Sequence, residues 1–226
     1  MYEWNYDVIF RNWNLLAAGL LNTLTITGIS LVFGVALGLV LALARLSRFP
    51  ILSWPATGIV DFFRITPPLV QLFWFFFAFP ILFNVAMTPF IAAVLTFSVQ
   101  SSAFFAEVFR AGINSIERGQ WEGARAIGMS QSQAMRRIIL PQAIKRMIPA
   151  FLERSIELLK ATAIVSTVSY ADLLFQANDM SQRTFRPLEI FTTVAIIYFV
   201  LVFVISQVVE WLERRLSASG NSTVRR

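Results

Sequence analysis

The chain contains neither cysteine nor histidine. It therefore offers no thiolate or imidazole metal site, no disulfide and no Cys–His or Ser–His nucleophile and base pair. Charge is scarce as well: 14% of residues are Asp, Glu, Lys or Arg, against roughly 25% in a soluble domain. Only two lysines occur, Lys145 and Lys160, and neither follows the glycine-rich run G-x-x-x-x-G-K-[ST] that a phosphate-binding loop requires. What the chain has instead is apolar: 57% hydrophobic residues with 22 Phe and 6 Trp, and a mean hydropathy of +0.66. A surface built from these residues cannot face mainly water. The formal charge of +6 is scattered among apolar runs, so an anionic membrane surface suits it better than nucleic acid. At 226 residues the chain has room for one compact domain and little else.

No charge lies in the thirty-three positions between Arg11 and Arg45, nor in the forty-two between Arg64 and Glu107, and a bilayer span needs only about twenty. The second run is interrupted by Pro80, Asn84 and Pro89 and reads as two helices joined by a hairpin. Positions 190–209 form a third uncharged run. In the first run Gly34 and Gly38 make a G-x-x-x-G with Ala42 one turn later, a spacing that permits close helix approach, although glycine is common in membrane helices anyway. The N-terminus, Met1 to Asn14, is aromatic and mildly acidic, so no signal peptide is expected and the first span should be retained.

Positions 147–170 are ambiguous, because Glu153, Arg154, Glu157 and Lys160 punctuate an otherwise apolar stretch. Residues 153, 157 and 160 share one helical face, so a span is possible if that face looks into protein or a water-filled cavity. Five spans result, near 15–44, 54–79, 89–109, 148–171 and 188–211. They place thirteen Lys and Arg on one side, the last four being Arg214, Arg215, Arg225 and Arg226, and three on the other, Arg11, Arg183 and Arg186. The basic side is expected to be cytoplasmic, giving an all-α integral membrane protein with its N-terminus outside and its C-terminus inside.

Between spans 3 and 4 lies the longest polar segment, 115–146. Trp121, Ala124 and Ile127 fall on one side of a first short helix, Gly128 breaks it, and Ser130-Gln131-Ser132-Gln133 forms a capping box opening a second. That second helix carries an apolar stripe of Ala134, Met135, Ile138 and Ile139 and is expected to stop at Leu140-Pro141, where proline removes a helical N–H. The expected object is a helix-turn-helix lying along the membrane, which could equally be an interfacial loop with no partner.

Glu122-Gly123-Ala124, then Gly128, then Ile138 and Leu140-Pro141 resemble the EAA loop, E-A-A-x3-G-x9-I-x-L-P, of ATP-binding-cassette (ABC) importer permeases. Asp61-Phe62-Phe63-Arg64-Ile65-Thr66-Pro67-Pro68-Leu69-Val70-Gln71-Leu72-Phe73 and Leu158 to Ser166 are similar to segments of the polar amino-acid branch, the histidine, glutamine and glutamate-type permeases. Gly123, Asp61, Ile65 and Arg154 depart from the usual residues.

The resemblance implies a single permease domain over 1–226 in the bacterial inner membrane, moving a polar amino acid inward. It implies a second permease copy or homologue, an extracytoplasmic solute-binding protein, and separate ATPase subunits that hold the ATP and magnesium, so the chain itself is no enzyme and carries no cofactor. Glu122, Gly123, Ala124, Gly128, Ser130, Gln131, Ile138, Leu140 and Pro141 would couple to the ATPase. Each has a plainer role open to it, such as helix breaking at Gly128 or local pairing of Glu122 with Arg118 or Arg125. Glu153, Arg154, Glu157, Lys160, Thr162 and Ser166 are candidates for the substrate path, against internal neutralisation of the same charges. Asp61, Arg64, Thr66, Pro67 and Gln71 are candidates for a gate or cavity wall, against a simple charge pair at a helix end. The alternative function is an ion-coupled secondary transporter or channel without an ATPase, whose intramembrane carboxylates would carry the ion.

Overall fold

The longest uncharged run folds as one unbroken helix. A short α1 (Asp7–Arg11) leads into α2 (Trp13–Arg45), whose buried positions include Gly19, Thr23, Ile26, Ser30, Gly34, Gly38 and Ala42. Small residues recur there every three to four positions, so α2 turns a nearly flat stripe toward α5 (Pro89–Asn114) and the two backbones come together. A methyl group built on Gly34 would lie 2.7 Å from Ser101 Cβ, and one on Gly38 would lie 2.8 Å from Phe105 Cβ and 2.9 Å from the Ser102 carbonyl. Gly28 faces open space, so its smallness serves no packing.

The computed structural model describes residues 2–218, all of whose regular elements are helical. Three helices are long and apolar enough to cross a membrane: α2, α5, and the stretch Pro187–Val208 of the last helix. Two bent pairs bring the number to five if each counts as one span.

The first bent pair stands where the second span was expected at 54–79, with its break at the Thr66-Pro67-Pro68 sequence that must kink or unwind a helix. Helix α3 (Pro50–Ile65) and helix α4 (Pro68–Phe83) meet at 106°. Pro67 forces its predecessor out of the helical region, and Thr66 is accordingly extended, at φ −72° and ψ 134°. Two of the carbonyls near the break are recovered by one side chain: Gln71 Nε2 donates to Phe63 O at 3.0 Å and to Thr66 O at 2.9 Å. Pro80 lies inside α4 rather than in the hairpin, which is made by left-handed Asn84 and closed by Thr88 capping Ile91 of α5.

Helix α6 (Arg118–Ala126) precedes α7 (Gln131–Val168), which corrects the expected stop at Leu140-Pro141. A widened π turn at Met135–Ile139 comes immediately before the proline. Such a turn already lacks a regular i→i−4 bond, so the missing N–H of Pro141 falls where the ladder is interrupted and the helix runs on. The fourth span therefore starts well before residue 148. It tightens into a 3-10 turn at Thr162–Val168, reverses at left-handed Ser169 and bends by 46° into α8 (Leu173–Thr184), a helix that the apolar pattern did not announce. The last helix, α9 (Pro187–Ala218), packs at the periphery; the side chains of Arg214 and Arg215, and residues Arg225 and Arg226, lie outside the described part.

The bend at 169–172 is tied to α2. Thr23 Oγ1 accepts from Leu173 N at 3.2 Å, Asn22 Nδ2 donates to Ala171 O at 2.8 Å, and a methyl on Gly19 would collide with Asp172 O at 2.9 Å. The start of the chain is fastened in a similar way. Fully buried Glu189 accepts from the Tyr2 hydroxyl and from Asn5 N, and Arg186 reaches Glu3 O; the hydrogen bond to Glu189 pushes the Tyr2 phenol up from its ordinary range.

Candidate functional site

Two regions gather the residues singled out from the sequence. The first is the polar loop. Helix α6 closes with a Schellman arrangement: Gly128 adopts φ +77°, Met129 N donates to Ala124 O at 3.1 Å, and Gly128 N donates to Arg125 O at 2.9 Å. Ser130 and Gln133 then form the reciprocal capping box that opens α7. Ala134 and Ile139 are buried, and Met135, Ile138 and Trp121 pack with Ile139 against Val108 and Ile116 at the end of α5 and against Ala143 and Met147 of α7. Ile127 does not join that side and is 75% exposed, because the Schellman turn swings it outward.

The loop is fixed to the helices by polar contacts as well. Arg48, just past α2, donates to Gln131 Oε1 at 2.8 Å; Gln142 Nε2 donates to Gln120 Oε1 at 3.2 Å; and Arg146 donates to Ser115 O. Glu122, Gly123, Gly128, Ser130, Gln131, Leu140 and Pro141 stay exposed. Glu122 forms no ion pair with Arg118 or Arg125, and a side chain on Gly123 would meet nothing within 4 Å. The apolar side of the loop is thus committed to the helix bundle while its polar crest is free.

The second region is the interior of α7 against α5. Arg154 pairs with Glu157 and lays its guanidinium over the Phe104 ring at 4.7 Å. Glu153 and Lys160 are exposed and take part in no ion pair among the described residues. Lys160 turns away from the other three toward an open apolar groove between α7 and α9 that includes Tyr198 and Ser206. Thr162 is buried and donates to Leu159 O at 2.7 Å, while Ser166 donates to Ala163 O at 2.9 Å. Both hydroxyls serve the 3-10 turn.

Asp61 and Arg64 do not pair with each other. Arg64 approaches Glu107 at 3.8 Å, and Glu107 also holds Arg45 at 2.9 Å and Arg110 through two contacts. One carboxylate therefore ties together the ends of α2, α3 and α5. Sequence reasoning passed over Glu107 and Arg45 because each merely ended an uncharged run; that a single acidic residue closes the forty-two-residue run was the available signal.

Two cavities adjoin this region. One, about 200 Å³, includes Gln100, Ser101, Phe104, Arg154, Glu157 and Pro68 in its walls. The other, about 340 Å³ and nearer the loop, includes Arg64, Phe104, Glu107, Arg146, Glu153 and Arg154. Gln100, Ser101 and Phe104 were also missed, since nothing in an apolar stretch of α5 marks which polar residues face a cavity. Thr66, Pro67 and Gln71 shape the α3–α4 bend that brings Pro68 to the first cavity.

The model of the family described as "Binding-protein-dependent transport system inner membrane component" matches residues 34–218. The L-cystine transport system permease TcyB of Bacillus subtilis is 39% identical over 93% of this chain and 91% of its own length. The glutamate/aspartate import permease GltK of Escherichia coli is 37% identical over 95% of this chain and 99% of its own. Among solved structures, an amino acid ABC transporter crystallised with histidines superposes with a TM-score of 0.91 at 36% identity, covering 95% of this chain and all of that one. The inward-facing MetNI methionine transporter shares the fold, with a TM-score of 0.77 at 22% identity.

Proposed function

This chain belongs to the binding-protein-dependent transport inner membrane component family, and on that premise we propose how its parts divide the work of import. It is a permease subunit of an ABC importer for amino acids. As a single domain over 1–226 it sits in the bacterial inner membrane with its N-terminus outside and its C-terminus in the cytoplasm, following the asymmetry of Lys and Arg. The helix-turn-helix of α6 and the first turns of α7 then lies on the cytoplasmic side. A second permease subunit completes the membrane part, two ATPase subunits supply the energy with their own ATP and magnesium, and an extracytoplasmic binding protein delivers a polar amino acid.

The observation that carries this reading is the loop's two-sidedness. Its apolar face is spent on the bundle, yet Glu122, Gly123 and Gln131 stand exposed with Gly123 in open space. Apart from the Arg48–Gln131 contact that anchors it, this crest is turned outward and fits a cleft on a partner. Because the same α7 helix begins in the loop at Gln131 and passes Arg154 and Glu157 without a break, a push on the crest by the ATPase is transmitted to the cavity wall as rigid-body tilt. Glu153, Arg154 and Glu157 line the substrate path, Lys160, Thr162 and Ser166 flank it, and Asp61, Arg64, Thr66, Pro67 and Gln71 form the gate at the α3–α4 bend.

The absence of cysteine allows a clean test. In Gln131→Cys the only thiol lies on the crest, and cross-linking in native membranes followed by mass spectrometry identifies its neighbour. An adduct with a P-loop ATPase, its yield changing with ATP, is the expected result. A freely water-accessible thiol that captures no ATPase, with uptake stopped by an ionophore and untouched by vanadate, would instead establish an ion-coupled transporter.

A further inference from the structure

The two cavities share a wall. Phe104 of α5 and Arg154 of α7 border both, and two guanidiniums approach the Phe104 ring, Arg154 at 4.7 Å and Arg64 at 5.9 Å from its centroid. The cavity farther from the loop contains one cation and one anion, Arg154 and Glu157. The loop-side cavity also has an opposed pair in its walls, Arg64 and Glu153, and here the two do not answer each other: Arg64 has only a distant share of Glu107. Glu153 has no ion partner among the described residues, and Arg64 stands 3.8 Å from Glu107, a carboxylate held more closely by Arg45 and Arg110. The remaining charges facing this space are accounted for: Arg146 is spent on Ser115 O, Glu107 on its three arginines and Arg154 on Glu157. Asp61 lies close enough to act on Arg110 through space.

We propose that the loop-side cavity is a second binding station for the same dipolar solute, with Arg64 receiving its carboxylate, Glu153 its ammonium, and Phe104 forming the partition between the stations. This rests on the amino-acid importer reading above. A zwitterion brings a carboxylate to Arg64, the most distant of the three arginines around Glu107, and an ammonium to Glu153, without altering the net charge of the cavity. A simple amine or a simple carboxylate supplies only one. At about 340 Å³ the space lies at the small end of the ~300–1,000 Å³ range of ligand pockets, as suits a single amino acid. Phe104 is the side chain the solute must displace in passing, and two cation–π contacts hold that ring in place between transfers.

The test places single thiols in the full complex, reconstituted with its partners: Ala111→Cys in the loop-side cavity and, separately, Ala161→Cys in the other. Modification by a small maleimide is timed with each of the twenty common L-amino acids and cystine. An amino acid at ten times its Kd slows the reaction at an occupied station roughly tenfold by mass action. The expected result is that at least one amino acid protects both thiols, while its N-acetylated and decarboxylated counterparts fail to protect the A111C thiol. Adding Arg64→Gln or Glu153→Gln should remove protection at A111C by about tenfold or more and leave it at A161C, whereas Arg64→Lys, which keeps the charge, should retain protection at both. Protection confined to A161C, or protection at A111C that survives both Arg64→Gln and Glu153→Gln, overturns the second station while leaving the importer reading intact. If no amino acid protects either thiol, neither cavity is a binding station and the proposal falls, while the membership of the importer family, which rests on sequence likeness, stands.

Discussion

The α2–α5 contact should fail at Gly38 and tolerate change at Gly28, although both glycines lie in the same helix. A methyl placed on Gly38 lies 2.8 Å from Phe105 Cβ and 2.9 Å from the Ser102 carbonyl oxygen, and the latter is backbone. Carbon atoms rest at about 3.5–4.0 Å, so Gly38→Ala requires the helices to part by most of an ångström or the α5 backbone to shift. Overpacking of this kind costs about 1–3 kcal/mol. The same substitution at Gly28 meets nothing within 4 Å and gains the helix preference of alanine, about 1 kcal/mol. Gly38→Ala should therefore fall about 2–4 kcal/mol below Gly28→Ala in detergent-solubilised unfolding, measured by denaturant titration of tryptophan fluorescence on the pair side by side. Equal midpoints for the two variants would refute the close-packing account, because helix propensity alone treats the two sites alike.

Other substitutions address other joints of the structure. Glu107→Gln leaves Arg45, whose side chain is 11% exposed, beside Arg64 and Arg110 with only the more distant Asp61 as countercharge; loss of a buried ion partner costs ~3–5 kcal/mol, so with the partly open arginines here a loss near or below the lower end is expected in the same titration. Thr23→Val removes the acceptor for Leu173 N at the 169–172 bend, and a buried unpaired N–H costs about 1–3 kcal/mol; thermal unfolding should register it, with Thr23→Ser close to the parent. Gly123→Leu meets open space and should fold normally, yet in the complex it should uncouple ATP hydrolysis from uptake, read as uptake per ATP; unchanged coupling would remove Gly123 from the ATPase contact.

Much of this was legible in the chain because the relevant signals are local. The capping box at Ser130, the left-handed glycine at 128, the small-residue stripe of α2 and the break at Pro67 each depend on a few neighbouring residues whose backbone chemistry leaves little choice. The expectations that failed were those in which a local rule met a compensating neighbour. Pro141 did not end its helix, because the π turn before it had already opened the hydrogen-bond ladder. Ile127 did not bury, because Gly128 turned the chain beneath it. Helix α8 is short and buries only Leu173, Ala177 and Met180 between polar residues, a three-residue helical stripe too brief to stand out from an external loop.

The charges show the same division. Composition and spacing alone established a multi-span membrane chain, its basic loop and the EAA-type motif, since apolar run length and fixed motif spacing do not depend on how helices pack. Which charge answers which was decided only in three dimensions: Arg154 with Glu157 rather than Glu157 with Lys160, and Glu107 with arginines sixty-two, forty-three and three positions away. Helix crossing places those groups, and a contact across forty or sixty residues leaves no periodic trace in the sequence. The sharing of Phe104 and Arg154 between two cavities is likewise a product of the α5–α7 packing.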